Sequence, residues 1–268
     1  MCMKMPQFIV MSYPRTGTTL LCDSLGRHPD INEAMEVFHY NYIHNLHENW
    51  RENEFKRLYD KSSKEMKATG REGQPVLDYR RLDFVPFFKS VVDKFNGFKL
   101  LYHQAPADAP FWDFFHQEVP SKIIYLQRDF LEACVSKKIA YKTGVWQKYS
   151  PEEHPPEPSV NVSIYDLHEF YNMFYNVESS YRKRFSKFES ITVHYNDLCE
   201  NWNGTMRVVQ EFLGIDPIDL PQHIFKKATK PTKELIANYE CLMKDLGSLS
   251  ALDYVTQKQQ NLKRLRMV

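Results

Sequence analysis

The feature that most constrains the fold is a short apolar run followed by a turn and the start of a helix. Residues Phe8 to Met11 form the run, and the segment YPRT leads from it to Gly17, where an amphipathic stretch begins. This order predicts a buried β-strand, a short loop and an α-helix. Backbone N–H groups at a helix N-terminus lack intrahelical partners and lie at the positive end of the helix dipole, so the loop suits an anion.

Residues in this loop supply further groups for an anion. Arg15 carries a permanent charge, and Gly17 lets the backbone approach a ligand closely. Hydroxyl donors follow at Thr16, Thr18 and Thr19. The loop is not a Walker A motif, because a threonine rather than a lysine follows the glycine and no glycine stands five residues earlier. Taken alone, the stretch also fits an ordinary βα turn capped by Thr16.

Length and composition exclude several classes of protein. The chain has 268 residues, of which 43% are hydrophobic, so we expect one domain over residues 1–268 with a substantial core. A formal net charge of +1 gives no global reason to expect nucleic acid or a membrane surface as partner. No signal peptide precedes the first strand and no apolar run is long enough for a membrane span, so a cytoplasmic location is expected. Five widely spaced cysteines favour free thiols.

Three further apolar runs predict strands that alternate with helices. They cover Phe98 to Tyr102, Lys122 to Gln127 and Ser190 to Tyr195. The repeated βα order predicts an α/β fold with a P-loop-like, mostly parallel central sheet flanked by helices. A helical excursion at 41–81 and a Pro-rich loop at 142–163 depart from this order, and we expect both to shape a substrate pocket.

Two side chains near the anion loop could accept a proton. Glu36 lies just after the first helix, where a carboxylate could act as a general base. His103 follows the second predicted strand, at the edge where open α/β sheets bind their ligands. The alternatives are a solvated charge for Glu36 and a structural histidine for His103.

A second set of phosphate-binding groups follows the third predicted strand. Arg128 comes directly after the strand, and Ser136 lies eight residues further along, in the next helix. A guanidinium fork and a hydroxyl can hold one phosphate together. No DNA- or RNA-binding motif accompanies the basic residues of the chain, so no nucleic-acid partner is expected.

Together these segments resemble sulfotransferases that use 3′-phosphoadenosine 5′-phosphosulfate (PAPS) as sulfuryl donor. The run PRTGTT is similar to their 5′-phosphosulfate loop, and Arg128 with Ser136 is similar to their 3′-phosphate signature. More narrowly, EVFHY, KLLYHQAP and VHYNDL resemble the bacterial trehalose sulfotransferase family, over roughly residues 7–239. The resemblance implies the sulfotransferase fold, PAPS as donor, PAP as product, a small hydroxyl acceptor such as a carbohydrate, no membrane partner, and a homodimer.

The resemblance also implies roles for the residues of the first loop and of the 3′-phosphate signature. Arg15 would contact the transferring sulfuryl group, and Arg128 with Ser136 would hold the 3′-phosphate. The 5′ end of the donor would lie against Gly17, Thr18 and Thr19.

Two candidate bases follow from the same resemblance. Glu36 matches the general base of the trehalose-type enzymes, and His103 falls where the cytosolic sulfotransferases have their catalytic histidine. The carboxyl-terminal Arg-Lys-Gly motif of the cytosolic family is absent. The adenosine end of the donor is therefore assigned to Lys227, Lys230 and Thr232.

The reaction implied is in-line sulfuryl transfer assisted by a general base and by Arg15, with no metal ion. Two other functions remain open at this point. A P-loop small-molecule kinase would need a lysine after Gly17 and ligands for Mg²⁺, which the loop does not supply. A PAP-binding protein without turnover would keep the nucleotide site and lack a working base.

Overall fold

The computed structural model of the protein describes residues 7–37, 93–105, 107–109, 111–118, 121–225 and 229–248. The helical excursion expected at 41–81 and the residue Lys227 lie outside these ranges. Within the ranges, none of the helices is long and apolar enough to cross a membrane.

Four strands form one sheet, in which every neighbouring pair is parallel. They are β1 (Gln7–Ser12), β2 (Gly97–Leu101), β3 (Ser121–Gln127) and β4 (Glu189–His194), in the spatial order β2-β1-β3-β4. Val10 of β1 pairs with Lys99 of β2 on one side and with Ile124 of β3 on the other. The four predicted strands and the parallel α/β fold are confirmed, although β2 ends at Leu101, one residue earlier than expected.

The helices follow the strands as the βα order predicts. They are α1 (Thr18–Leu25), α2 (Phe111–Glu118), α3 (Phe130–Thr143), α4 (Ile164–Tyr171), α5 (Glu178–Arg184), α6 (Tyr195–Glu200), α7 (Trp202–Leu213) and α8 (Tyr239–Ser248). The single helix expected from Ile164 to Phe188 is instead interrupted by a π-helical segment, Asn172–Val177, between α4 and α5. A 3₁₀ turn, Thr232–Leu235, precedes α8.

Strand β1 lies at the centre of the core and is buried on both faces. Ile9 and Met11 belong to one apolar cluster, whereas Phe8 and Val10 belong to a second cluster on the opposite face. This explains why the run is continuously apolar instead of alternating with polar residues. The central strand therefore presents its loop, residues 13–17, from a rigid support.

The Pro-rich segment between α3 and α4 contains no helix or strand from Gly144 to Ser163. Its start is fixed by Gly144, a left-handed residue at the end of α3, and its end by Ser163, which forms a capping box with Asp166. Val160 joins it to the segment before α8, since its N–H donates to the Leu235 carbonyl at 2.9 Å and its carbonyl accepts from Ala237 N–H at 2.9 Å. The loop and the carboxyl-terminal segment are thus held together.

Candidate active site

The loop after β1 reverses direction through two residues in the left-handed region. Arg15 has φ 73° and Gly17, at the N-cap of α1, has φ 94°. A Cβ atom at Gly17 would lie 2.6 Å from Cδ2 of Tyr195, so only glycine fits this position. Thr16 is fully buried, and its hydroxyl donates to the Tyr13 carbonyl at 2.8 Å. In this structure Thr16 therefore stabilises the turn.

The structure brings the predicted anion-binding side chains Arg15, Arg128 and Ser136 together. Arg128 Nη1 donates to the Arg15 carbonyl at 3.0 Å, and Arg15 Nε lies 3.4 Å from Ser136 Oγ. Arg15 Nη2 also donates to the Trp146 carbonyl at 2.8 Å, and its guanidinium lies 5.5 Å from the Trp146 ring centre. The residues after β1 and β3 therefore form one site.

The electrostatics of this site favour an anion. Burial, together with the nearby charge of Arg128, lowers the pKa of Arg15 to about 10, so the Arg15 guanidinium stays charged at neutral pH. Arg128 pairs with Glu132 at 3.3 Å, while no carboxylate of the described residues pairs with Arg15. A negative group placed between the two would relieve their mutual repulsion.

Tyr195 is a site residue to which the sequence reasoning assigned no role. Its ring packs against Gly17, and the Arg128 guanidinium lies over the ring at 4.1 Å from its centre. Burial raises the pKa of Tyr195, so the phenol is neutral near pH 7. The available signal was its position directly after β4, at the same sheet edge as Arg15 and Arg128.

A cavity opens beside these groups and combines a polar end with an apolar wall. Its polar lining is supplied by Arg15, Gly17, Thr18, Thr19, Arg128, Glu132, Ser136, Gln147, Glu157, Tyr195 and Thr232. Its wall is supplied mainly by Ile139, Val145, Trp146, Pro155, Ile224, Phe225 and Leu235. A ligand with phosphate groups and a flat apolar part fits such a surface.

The carboxyl-terminal residues predicted for the adenosine end are placed differently from one another. Thr232 lines the cavity, whereas Lys230 is exposed and its backbone N–H donates to Glu157 Oε2 at 3.1 Å. The other carboxylate oxygen of Glu157 accepts from the backbone and the hydroxyl of Thr229, at 2.8 and 3.0 Å. Lys227 lies outside the described residues. Glu157 thus joins the Pro-rich loop to this segment.

Glu36 is linked to the anion loop through a buried lysine. Lys99 Nζ lies 2.8 Å from Glu36 Oε1 and donates to Thr19 Oγ1 at 3.1 Å. The second oxygen of Glu36 accepts from Gln104 Nε2 at 2.6 Å, while Gln104 Oε1 accepts from the Leu101 N–H at 3.0 Å. Both carboxylate oxygens of Glu36 are therefore held by side chains, and one of these, Lys99, also contacts α1.

The second candidate base, His103, lies two residues beyond β2 with an exposed side chain. Its neighbour Gln104, which is buried, makes the contact with Glu36. Lys99 and Gln104 were both missed by the sequence reasoning. Lys99 did leave a signal, because a lysine inside the apolar strand GFKLL must have a buried partner.

The comparison with protein families agrees with this geometry. The sequence profile of the sulfotransferase family matches residues 6–219, which is most of the chain. The chain therefore belongs to the sulfotransferase family, and the expectation of a sulfotransferase is confirmed at that level. The narrower likeness to trehalose sulfotransferases stays a prediction.

Among individual proteins, the chain is similar to Nodulation protein H of Rhizobium tropici. The two are 27% identical over 207 residues, which cover 77% of this chain and 75% of that protein. Two solved structures are also similar. Mouse sulfotransferase SULT7A1 complexed with PAP is 15% identical, with a TM-score of 0.43 over 81% of this chain and 61% of that chain. The sulfotransferase from Alicyclobacillus acidocaldarius is 13% identical, with a TM-score of 0.44 over 91% and 95%. At this distance no residue role is transferred from either structure.

Proposed function

We propose that the protein transfers a sulfuryl group from PAPS to a hydroxyl group of a small polar acceptor and releases PAP. The observation that carries this proposal is the meeting of Arg15, Arg128 and Ser136 with the N-terminus of α1 in one cavity. Membership of the sulfotransferase family supports the reaction class. The cytoplasmic location and the homodimer belong to the same proposal as expectations.

The donor would occupy the cavity, and its 3′-phosphate and 5′-phosphosulfate would both lie against the polar residues of the cavity. The 3′-phosphate is assigned to Arg128 and Ser136, and the 5′-phosphosulfate to Arg15 and the first backbone N–H groups of α1. The apolar wall with Trp146 offers a surface for the adenosine. Thr232 lines the cavity and is retained as a contact, whereas Lys230 is exposed and is not among the residues that line it.

The chemistry proposed for the site is a direct displacement at sulfur. The acceptor oxygen forms a bond to sulfur as the bond between sulfur and the 5′-phosphate oxygen breaks, and the electron pair leaves with that phosphate. Glu36 accepts the hydroxyl proton, a contribution of about 10²–10⁴-fold in rate. Arg15 and the helix N-terminus stabilise the charge that develops on the sulfuryl and leaving oxygens.

Glu36 is preferred to His103 as the base because of its surroundings. Its carboxylate is held through Lys99 to Thr19, one of the residues that line the donor cavity. His103 stays the second candidate. A carbohydrate or related metabolite is the acceptor class we propose, on the basis of the resemblance alone.

The donor site can be tested by calorimetric titration of PAP into the wild type and into Arg128→Ala. We expect binding by the wild type and a loss of at least about 100-fold in the variant, because a buried charged partner of a phosphate is removed. Arg207→Ala is the matched control, since Arg207 is exposed on α7 and pairs with Glu211 there. Equal affinity of the wild type and Arg128→Ala, or preference for ATP over PAP, would contradict the proposal.

A further inference from the structure

The network behind the anion loop contains one lysine and two carboxylates. Lys99 is almost fully buried, with 1% of its side chain exposed, and contacts Glu36 and Thr19. Glu33 lies on the same return segment as Glu36, and its Oε1 is buried with no hydrogen-bond partner among the described residues. The thiol of Cys22, on α1, also faces this group. These residues are not explained by donor binding.

The two carboxylates have unequal partners. Glu36 has the ion pair with Lys99 at 2.8 Å and the hydrogen bond from Gln104 at 2.6 Å. Glu33 makes no ion pair within the described part of the chain. Because one buried ammonium can fully compensate only one buried carboxylate, the arrangement favours ionised Glu36 and neutral Glu33.

The ionisation behaviour of the two neighbours agrees with this assignment. Burial raises the pKa of Glu33 to about 7, against the opposing effects of the Met35 N–H and Lys99. For Lys99, burial alone would lower the pKa, but the attraction of Glu36, Cys22 and Glu33 raises it above its ordinary value. Lys99 therefore stays charged at pH values at which Glu33 still carries a proton.

We infer that Lys99 is a positioning residue that holds Glu36 as an oriented carboxylate beside the N-terminal turn of α1. Glu33 is protonated and neutral, so it does not compete with Glu36 for the ammonium of Lys99. This inference deepens the proposed function, because it rests on Glu36 being the base. Lys99 is suited to the role since it lies within β2, beside the central strand β1, and its orientation is fixed by packing.

This assignment implies that the interaction between Lys99 and Glu36 changes when Glu33 ionises. The charged or titratable groups that face Lys99 among the described residues are Glu36 and Glu33 from the return segment and Cys22 from α1. Above a pH of about 7, ionised Glu33 competes with Glu36 for the ammonium. The hold on Glu36 then weakens, and with it the orientation of the proposed base.

The experiment that tests the inference is infrared difference spectroscopy on protein labelled with ¹³C-glutamate, from about pH 5 to about pH 9. In the wild type, a carboxylic acid band should persist above the range of ordinary glutamates and disappear near pH 7, and Glu33→Gln should lack that band. Lys99→Met should show an additional acid band at neutral pH, because Glu36 takes up a proton once its cation is removed. Lys122 lies on β3 and pairs with Glu189, so Lys122→Met is the control and should give the same spectrum as the wild type.

Two results would overturn the inference. One is a Lys99→Met spectrum with no new acid band at neutral pH, and the other is a wild-type band that survives in Glu33→Gln. If Lys99→Met does not fold, Glu36→Gln decides the question. In that variant Lys99 becomes available to Glu33, so the Glu33 band should titrate at least about one pH unit lower. An unshifted midpoint would contradict the role given to Lys99.

Calorimetry with PAP on the same proteins separates this inference from the proposed function. Lys99→Met should bind PAP within about tenfold of the wild type, because only its hydrogen bond to Thr19 touches the donor cavity. Absence of PAP binding by the wild type would refute the donor site, whatever the infrared spectra show. If Lys99→Met alone loses more than tenfold in affinity for PAP, Lys99 contributes to donor binding rather than to positioning of the base. That result would contradict the inference.

Discussion

Gly17 is the residue at which backbone conformation and packing restrict the sequence most strongly. Its φ of 94° lies in the left-handed region, and the Tyr195 ring occupies the space that a side chain would need. The sequence identified this glycine as a loop residue, because its position before a helix start is visible without a structure. The packing of Tyr195 against it was not predictable, since the two residues are brought together only by the parallel pairing of distant strands.

We predict that Gly17→Ala lowers the free energy of unfolding by about 2–4 kcal/mol, from strain at positive φ and from overpacking against Tyr195. Urea unfolding measures the change. Gly214→Ala is the control, because Gly214 also has positive φ, at 77°, but a Cβ there meets nothing within 4 Å. It should lose only about 1–2 kcal/mol. Equal losses in the two variants would contradict the role of Tyr195.

Glu33 leads to a prediction about the pH dependence of stability. Its pKa is about 7 in the folded protein and 4.5 for an unperturbed glutamate, so the folded state binds more protons between these values. The contribution of Glu33 to the free energy of unfolding therefore falls as pH rises from about 4.5 through about 7. Glu33→Gln should lack this contribution. Relative to the wild type, the free energy of unfolding of the variant should therefore rise by about 2–3 kcal/mol between pH 4.5 and pH 8. A constant difference across that range, measured by urea unfolding, would contradict the prediction.

At the scale of elements, the strands were predictable because burial on both faces leaves a continuous apolar run. The long aromatic helix was predicted correctly in place but not in form, since Asn172–Val177 is π-helical and α5 ends at Arg184. Apolar periodicity does not distinguish an α-helix from one with a local i→i+5 segment. Lys99 and Gln104 were missed for another reason, because their partner Glu36 is remote in sequence.

The Pro-rich loop contributes a reporter of donor binding. Trp146 accepts a hydrogen bond from Arg15 and has 42% of its surface exposed. We predict that PAP changes the tryptophan fluorescence of the protein, because an anion bound to Arg15 alters the charge beside the indole ring. Trp146→Phe should abolish the change, and Trp202→Phe should retain it, since Trp202 on α7 donates to the Leu220 carbonyl away from the cavity. A signal that persists in Trp146→Phe would contradict this placement.

At the scale of the whole molecule, the strand order explains where the site lies. The chain passes from β1 to β2 on one side and then crosses to β3 on the other side of β1. The loops after β1 and β3 therefore diverge and leave a crevice at the carboxyl ends of these strands. Arg15 follows β1 and Arg128 follows β3, so the topology alone brings the two guanidiniums to one crevice. The hydrogen bond from the Arg128 guanidinium to the Arg15 backbone carbonyl could not be read from the sequence.

We predict that PAP stabilises the whole protein against heat. At a concentration of about 100 Kd, a ligand that binds only the folded state adds about 2.7 kcal/mol, which raises Tm by about 5–10 °C for a chain of this size. Adenosine 5′-phosphate at the same concentration should give a smaller shift, because it lacks the 3′-phosphate assigned to Arg128 and Ser136. Equal shifts, measured by calorimetry, would show that the 3′-phosphate is not recognised.

The hydrogen bond from Arg128 to the Arg15 carbonyl also bears on which nucleotides the proposed donor site would select. It fixes the spacing between the groups that follow β1 and those that follow β3. Under the proposed function, the crevice would select ligands by the spacing of their charged groups as well as by charge. A linear polyphosphate carries more negative charge than PAP but presents it along one direction, whereas PAP presents its charge on opposite sides of a ribose. Selection by spacing would not be weakened by adding salt. Salt screens electrostatic attraction but leaves the distance between the groups after β1 and β3 unchanged.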